Sequence, residues 1–201
     1  MMAVTEDELA IVLPANLVPG PVQGQWTYAD YAALPDDGRR YELMDGVLLM
    51  SPSPTPNHQF IVGRLFFYLC QYVDFAGLGR VLHAPLDVEL APETVCQPDV
   101  LVLLGKSVAK VAEKRIIGAP DLAIEVASPG TATYDRLTKT YTYARYGVQE
   151  CWIVDPRACS VEVFVLENHG YHSLGMFQAK EGIPSRVVPD IRAIRVEQFF
   201  S

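Results

Sequence analysis

Asp99, Glu125 and Lys139 are the residues of this chain whose types and surroundings point to chemistry. Asp99 stands in Gln97-Pro98-Asp99-Val100, at the head of an apolar run. Glu125 interrupts the β-branched run Ile124-Glu125-Val126, and Lys139 follows on a stretch with helical character. Buried strands rarely tolerate a carboxylate without a partner. Two such acids at neighbouring strand ends repel each other when desolvated. A site that keeps both ionised therefore calls for a divalent cation, most naturally Mg²⁺ with Mn²⁺ as a substitute, on oxygen ligands. The chemistry expected of this set is metal-dependent hydrolysis of a phosphodiester.

Each residue also has a plainer account. Asp99, after Pro98, is placed to cap its own turn. Glu125 has fewer alternatives, because a carboxylate between Ile124 and Val126 must pair with a cation or be protonated. Lys139 lies four residues after Asp135, and an i,i+4 ion pair worth ~0.3–0.5 kcal/mol explains it without function. Its other role is to bring an ammonium over the site and offset charge developing on phosphorus. Glu42, on a hairpin, is either an exposed cross-strand acid or a third ligand. His58, in the first turn of a helix, is either solvated or a proton shuttle. No GxSxG, P-loop, GxGxxG or HExxH pattern occurs, so serine hydrolase, nucleotide triphosphatase, dinucleotide and zincin readings have no support.

Composition bounds the setting of this chemistry. The chain has 201 residues, half of them apolar, enough to bury a full core. We expect an N-terminal arm over 1–25 and one domain over 26–201. The net charge of −8 argues against general affinity for nucleic acid. Lys106, Lys110, Lys114 and Arg115 are a local cationic group, either a solvated loop or helix or a contact to phosphates. Cys70, Cys96, Cys151 and Cys159 have no metal-type spacing, which argues against zinc. The acidic Glu6-Asp7-Glu8 is the wrong charge for a secretory signal, and no apolar run reaches the length of a membrane span. The expected location is the cytoplasm, with no membrane partner.

The elements that must position these residues follow from periodicity. Residues 9–25, apolar but rich in Pro and Gly, read as an extended arm that covers its own domain or a second subunit. Thr27 caps a short helix. Tyr41–Met50 reads as two strands around Asp45-Gly46. Asn57 or Thr55 caps a helix running to about Phe75, with one broad face in the core. Strands are expected at 81–83, 86–90, 100–104, 120–126, 151–155 and 161–166. The last of these forms a hairpin with 171–177, and a helix spans Thr133–Tyr146 with Gly147 as its C-cap. Strand, helix and strand between 120 and 155 form a βαβ crossover.

Tyr41-Glu42-Leu43-Met44-Asp45-Gly46, His58, Gln97-Pro98-Asp99-Val100, Pro120 through Pro129, and Asp135 through Asp155 together resemble the Uma2 family (DUF820), over about residues 26–200. That family is assigned to the restriction-endonuclease-like PD-(D/E)xK superfamily. The resemblance implies an α/β (α+β) fold with a central mixed sheet flanked by helices. It also implies an endonuclease that cleaves nucleic acid, DNA above all, by metal-activated water, and a homodimer acting on two strands. The implied metal ligands are Asp99, Glu125, the Val126 carbonyl and Glu42, with Lys139 and His58 completing the catalytic set. The superfamily lysine belongs two residues after the acid, where this chain has Ala127, so Lys139 on the following helix is its implied replacement. The alternative is a catalytically inactive dimeric binding or regulatory module on the same fold.

Overall fold

The computed structural model describes residues 12–128 and 135–201, and the side chains of all of these except 135 and 136. Residues 9–11 of the arm, the predicted helix start at Thr133 and the Asp135 side chain offered to Lys139 thus lie outside the described residues.

The arm supplies a two-residue strand, β1 (Leu13–Pro14), and Thr27 caps helix α1 (Tyr28–Ala32) with a capping box through Asp30. The predicted hairpin is β2 (Arg40–Met44) and β3 (Val47–Ser51). Asp45 and Gly46, at φ 48° and 77°, give both central residues the left-handed backbone that a tight hairpin requires. A Cβ on Gly46 would stand 2.5 Å from Gly24 O, so the arm closes over this turn only because it is glycine. β1 pairs with β3 and Ala15 is buried, so this part of the arm finds its cover within its own chain.

Helix α2 (Pro56–Tyr72) starts at Thr55, whose hydroxyl accepts from His58 N, and ends short of the expected Phe75. Then come β4 (Gly79–His83), β5 (Asp87–Ala91), β6 (Thr94–Cys96), β7 (Val100–Leu104), β8 (Lys110–Val111), β9 (Arg115–Ile117) and β10 (Leu122–Val126). A π-helical turn, Asp135–Lys139, runs into α3 (Thr140–Tyr146), closed by Gly147 at φ 87°. β11 (Glu150–Asp155), β12 (Ser160–Glu167) and β13 (Gly170–Gln178) follow, then two 3₁₀ turns, Pro189–Ala193 and Val196–Phe199.

The strands form two mixed sheets. One runs β1-β3-β2-β6-β5-β9-β8, the other β13-β12-β11-β10-β7-β4. In the second, β10 and β11 are parallel, as the βαβ crossover requires, and β7 is antiparallel to β10. One face of this sheet, with Val100, Val102, Leu122, Ile124 and Trp152, packs on Ile61, Leu65 and Leu69 of α2 and on the C-terminal segment. The other face carries α3 over Ala123 and Cys151 and, beside it, meets the first sheet through Leu101 and Leu103 against Val88 and Ile116. An apolar sheet face is buried equally well by another sheet.

The segment with Lys110 and Arg115, expected as a solvated loop or helix, is the β8–β9 hairpin. Arg115 is ion-paired to Glu89 and lies 4.0 Å over the Tyr28 ring, so this cation serves the fold.

Candidate active site

Alternation along the strands decides where the acids point. On β2, Tyr41 and Leu43 join the outer cluster around Trp26, whereas Met44 faces inward and packs with Ala123 of β10. Glu42 shares the face of Met44 and Glu125 that of Ala123, so both carboxylates enter the layer between the sheets. The antiparallel register pairs Leu122 with Val102 and Ile124 with Val100. One step further brings Asp99 opposite Glu125, on the same face as Leu101.

All five predicted side chains are buried: Glu42, His58, Asp99, Glu125 and Lys139. Lys139 Nζ is 3.0 Å from Glu42 Oε1 and 3.0 Å from Glu125 Oε2. Glu42 Oε1 also accepts the backbone N–H of Gln97 at 2.8 Å, which ties the hairpin to the Gln-Pro-Asp segment. Asp99 Oδ2 accepts the Val126 N–H at 2.8 Å and lies 3.1 Å from His58 Nε2. Asp99 therefore caps a neighbouring strand rather than its own turn, His58 is not solvated, and Glu42 is not an exposed cross-strand acid.

Burial raises the pKa of Asp99. The hydrogen bond and charge of His58, the charge of Lys139 and the Val126 N–H together outweigh it, and the carboxyl titrates below its usual value. The influence of Lys139 on Asp99 ties the two halves of the cluster into one electrostatic unit.

The model of the Uma2 family, described as "Putative restriction endonuclease", matches residues 28–197. The chain belongs to the Uma2 family. Among solved structures, it is similar to a putative nuclease belonging to DUF820 from Anabaena variabilis. The TM-score is 0.71 at 19% identity, covering 90% of this chain and 98% of that one. No curated protein matches it. The fold is restriction-endonuclease-like, with two mixed sheets and few helices.

In this Uma2 chain the position two residues after Glu125 is Ala127, and the buried amine comes from α3's side of the site. Sequence reasoning missed Tyr143, whose hydroxyl donates to Glu125 Oε1 at 2.5 Å. Its spacing of four residues from Lys139 was the available signal, since i and i+4 share a helix face. Burial, then Cys96 and Glu125, push the Tyr143 phenol well up, so it stays a donor. Gln97 was also missed. Its side chain bonds Tyr31 and Asp87 and so connects α1 to the same segment.

Among the described side chains, the carboxylates of Glu42 and Glu125 meet one ammonium, and Asp99 lies close enough to feel its charge. This oxygen-rich donor set suits a hard divalent ion in its chemistry. No group of three or more His, Cys, Asp or Glu among the described residues is disposed as an ion cage. The reason is visible in the bonds: Glu125 meets Lys139 and Tyr143, and Asp99 Oδ2 meets His58 and Val126.

Proposed function

We propose that this Uma2 protein is a metal-dependent endonuclease of the cytoplasm that hydrolyses phosphodiester bonds in nucleic acid, DNA above all, and works as a homodimer. The observation that carries the reading is the Lys139 ammonium, 3.0 Å from Glu42 and from Glu125, with Asp99 accepting the N–H of Val126 beside Glu125. Asp99, Glu125, Glu42 and the Val126 carbonyl would hold Mg²⁺ or Mn²⁺. When bound, such an ion supplies Lewis acidity toward the phosphate and the attacking water.

The chain's own groups do the rest. Lys139 donates hydrogen bonds to a phosphate oxygen as negative charge builds there. Tyr143 fixes the rotamer of Glu125, and His58 with the Val126 N–H fixes that of Asp99. Positions held by such outer bonds cost no reorganisation during reaction. Burial between the sheets strengthens each of these interactions relative to water.

The test is cleavage of single-stranded, duplex and branched DNA and RNA with Mg²⁺ or Mn²⁺, comparing wild type with Glu125→Ala. Wild type should cut at least one substrate and the variant none. Intact substrates throughout, or equal cutting by the variant, refute the reading.

A second reading, a catalytically inactive dimeric binding or regulatory module, is favoured by one specific observation. Lys139 is ion-paired with both Glu42 and Glu125, a purely structural use of its charge. Substrates left intact while a dimer persists in light scattering would support it.

A further inference from the structure

Beside the carboxylate cluster lies a cleft of about 370 Å³, within the size range of small-ligand sites. Its walls come from the start of α2 and from the C-terminal ends of the parallel strands β10 and β11, with Asn57, His58, Ser128 and Arg157 among the lining residues. Ligand sites in sheets with parallel strands collect at those strand ends.

Three independent features give the cleft its chemistry. First, α2 is a helix of 17 residues whose N-terminus opens here. Pro56 has no N–H, and Thr55 takes the amides of His58 and Gln59, which leaves the Asn57 N–H as the donor of that turn. Second, His58 is only 8% exposed, and its Nδ1 is buried without a hydrogen-bond partner. Its other nitrogen is held by Asp99 at 3.1 Å, so the ring is fixed in place in the wall of the cleft. Third, Arg157 is exposed and carries a guanidinium, the planar donor suited to phosphate. The one carboxylate among the described lining residues, Asp155, accepts the N–H groups of Arg157 and Ala158 through Oδ1 and so secures the turn that bears the arginine.

We propose that this cleft seats the nucleotide adjoining the scissile phosphate, with its phosphate on Arg157 and the α2 N-terminus and its sugar or base packed against His58. The inference rests on the nuclease reading for its substrate class. His58 is then shared between cleft and carboxylates, and the strand is registered against the cluster through the Asp99–His58 contact. Arg157 and Asn57 are positioning residues, acting on substrate affinity rather than on the reacting bond.

The experiment has two arms. In the first, fluorescence anisotropy follows fluorescein-labelled oligothymidylate and oligouridylate in EDTA, where no cleavage intervenes. Arg157→Ala should weaken binding about tenfold at low salt and flatten the slope of log affinity against log salt by about one, while Arg157→Lys, which keeps the charge but not the planar fork, should restore the slope and only part of the affinity. Asn57→Asp suits a helix N-terminus and should leave folding intact, yet it sets a negative charge in the cleft and should also weaken binding. In the second arm, any substrate cleaved with Mn²⁺ should show a raised KM and a nearly unchanged kcat for Arg157→Ala. Cleavage by wild type with unaltered KM and affinity in both variants overturns the cleft and leaves the nuclease reading standing. Arginine-dependent binding without any cleavage supports the cleft and refutes the nuclease. Absence of both binding and cleavage in wild type overturns the two together.

Discussion

Lys139 Nζ lies 3.0 Å from Glu125 Oε2, across the gap between the turn that leads into α3 and the end of β10. Each of these groups would be costly to bury alone, and together they form a hydrogen-bonded ion pair. The same ammonium reaches Glu42 on the other sheet, so one lysine couples both layers.

That coupling sets Lys139 in competition with any divalent ion for the same oxygens. Lys139→Met should therefore bind Mn²⁺ about tenfold more tightly, a change of about 1.4 kcal/mol, while losing about 10²–10³-fold in kcat. Calorimetric titration reads the first effect and cleavage kinetics the second. Weaker Mn²⁺ binding in the variant would contradict the competition.

Tyr143→Phe removes the hydroxyl that donates to Glu125. A buried acceptor deprived of its donor costs about 1–3 kcal/mol, measurable by urea unfolding. Losing a bond that orients a ligand should lower metal affinity or activity about 10–100-fold. An unchanged unfolding midpoint would show that the hydroxyl contributes nothing to the fold.

Asp99 titrates below its usual value of 3.8 in the folded protein. The folded state thus favours the ionised form, and the resulting stability is present above the unfolded value and lost as pH falls below it toward the folded one. Asp99→Asn lacks this contribution. The stability gap between wild type and variant should be constant above about pH 5 and shrink on acidification through the region below 3.8. Urea midpoints across that range test it, and a gap that widens on acidification would reverse the sign.

Leu65 is fully buried where α2 meets the central sheet. Leu65→Ala should cost about 2–5 kcal/mol through lost transfer energy and a residual cavity. Differential calorimetry would register the lowered Tm. A shift within error would mean that α2 does not anchor this face.

Glu150 shows why a buried acid alone does not identify a site. It is as deeply buried as any residue in the chain, yet its oxygens accept from Trp152 Nε1 and from the N–H groups of Arg186 and Val187, so it secures the C-terminal segment. Burial alone does not separate Glu150 from Glu125. The difference lies in partners distant along the chain.

The sequence by itself determined the elements whose causes are local. Asp45-Gly46 carried the hairpin turn, the apolar runs at 100–104 and 120–126 the covered strands, and Gly147 the end of α3, while the structure chose Thr55 over Asn57 as the cap of α2. The motifs around Glu42, Asp99 and Glu125 likewise identified the family before any contact was known. Only the tertiary structure decided that a second sheet covers the inner face, that Tyr143 and Gln97 hold the acids, and that His58 joins Asp99 to a cleft. Turns and caps are set by a few consecutive residues. The convergence of β2, β7, β10 and α3 depends on register and on which strand face lies against which layer, and those are properties of packing between segments far apart in the chain.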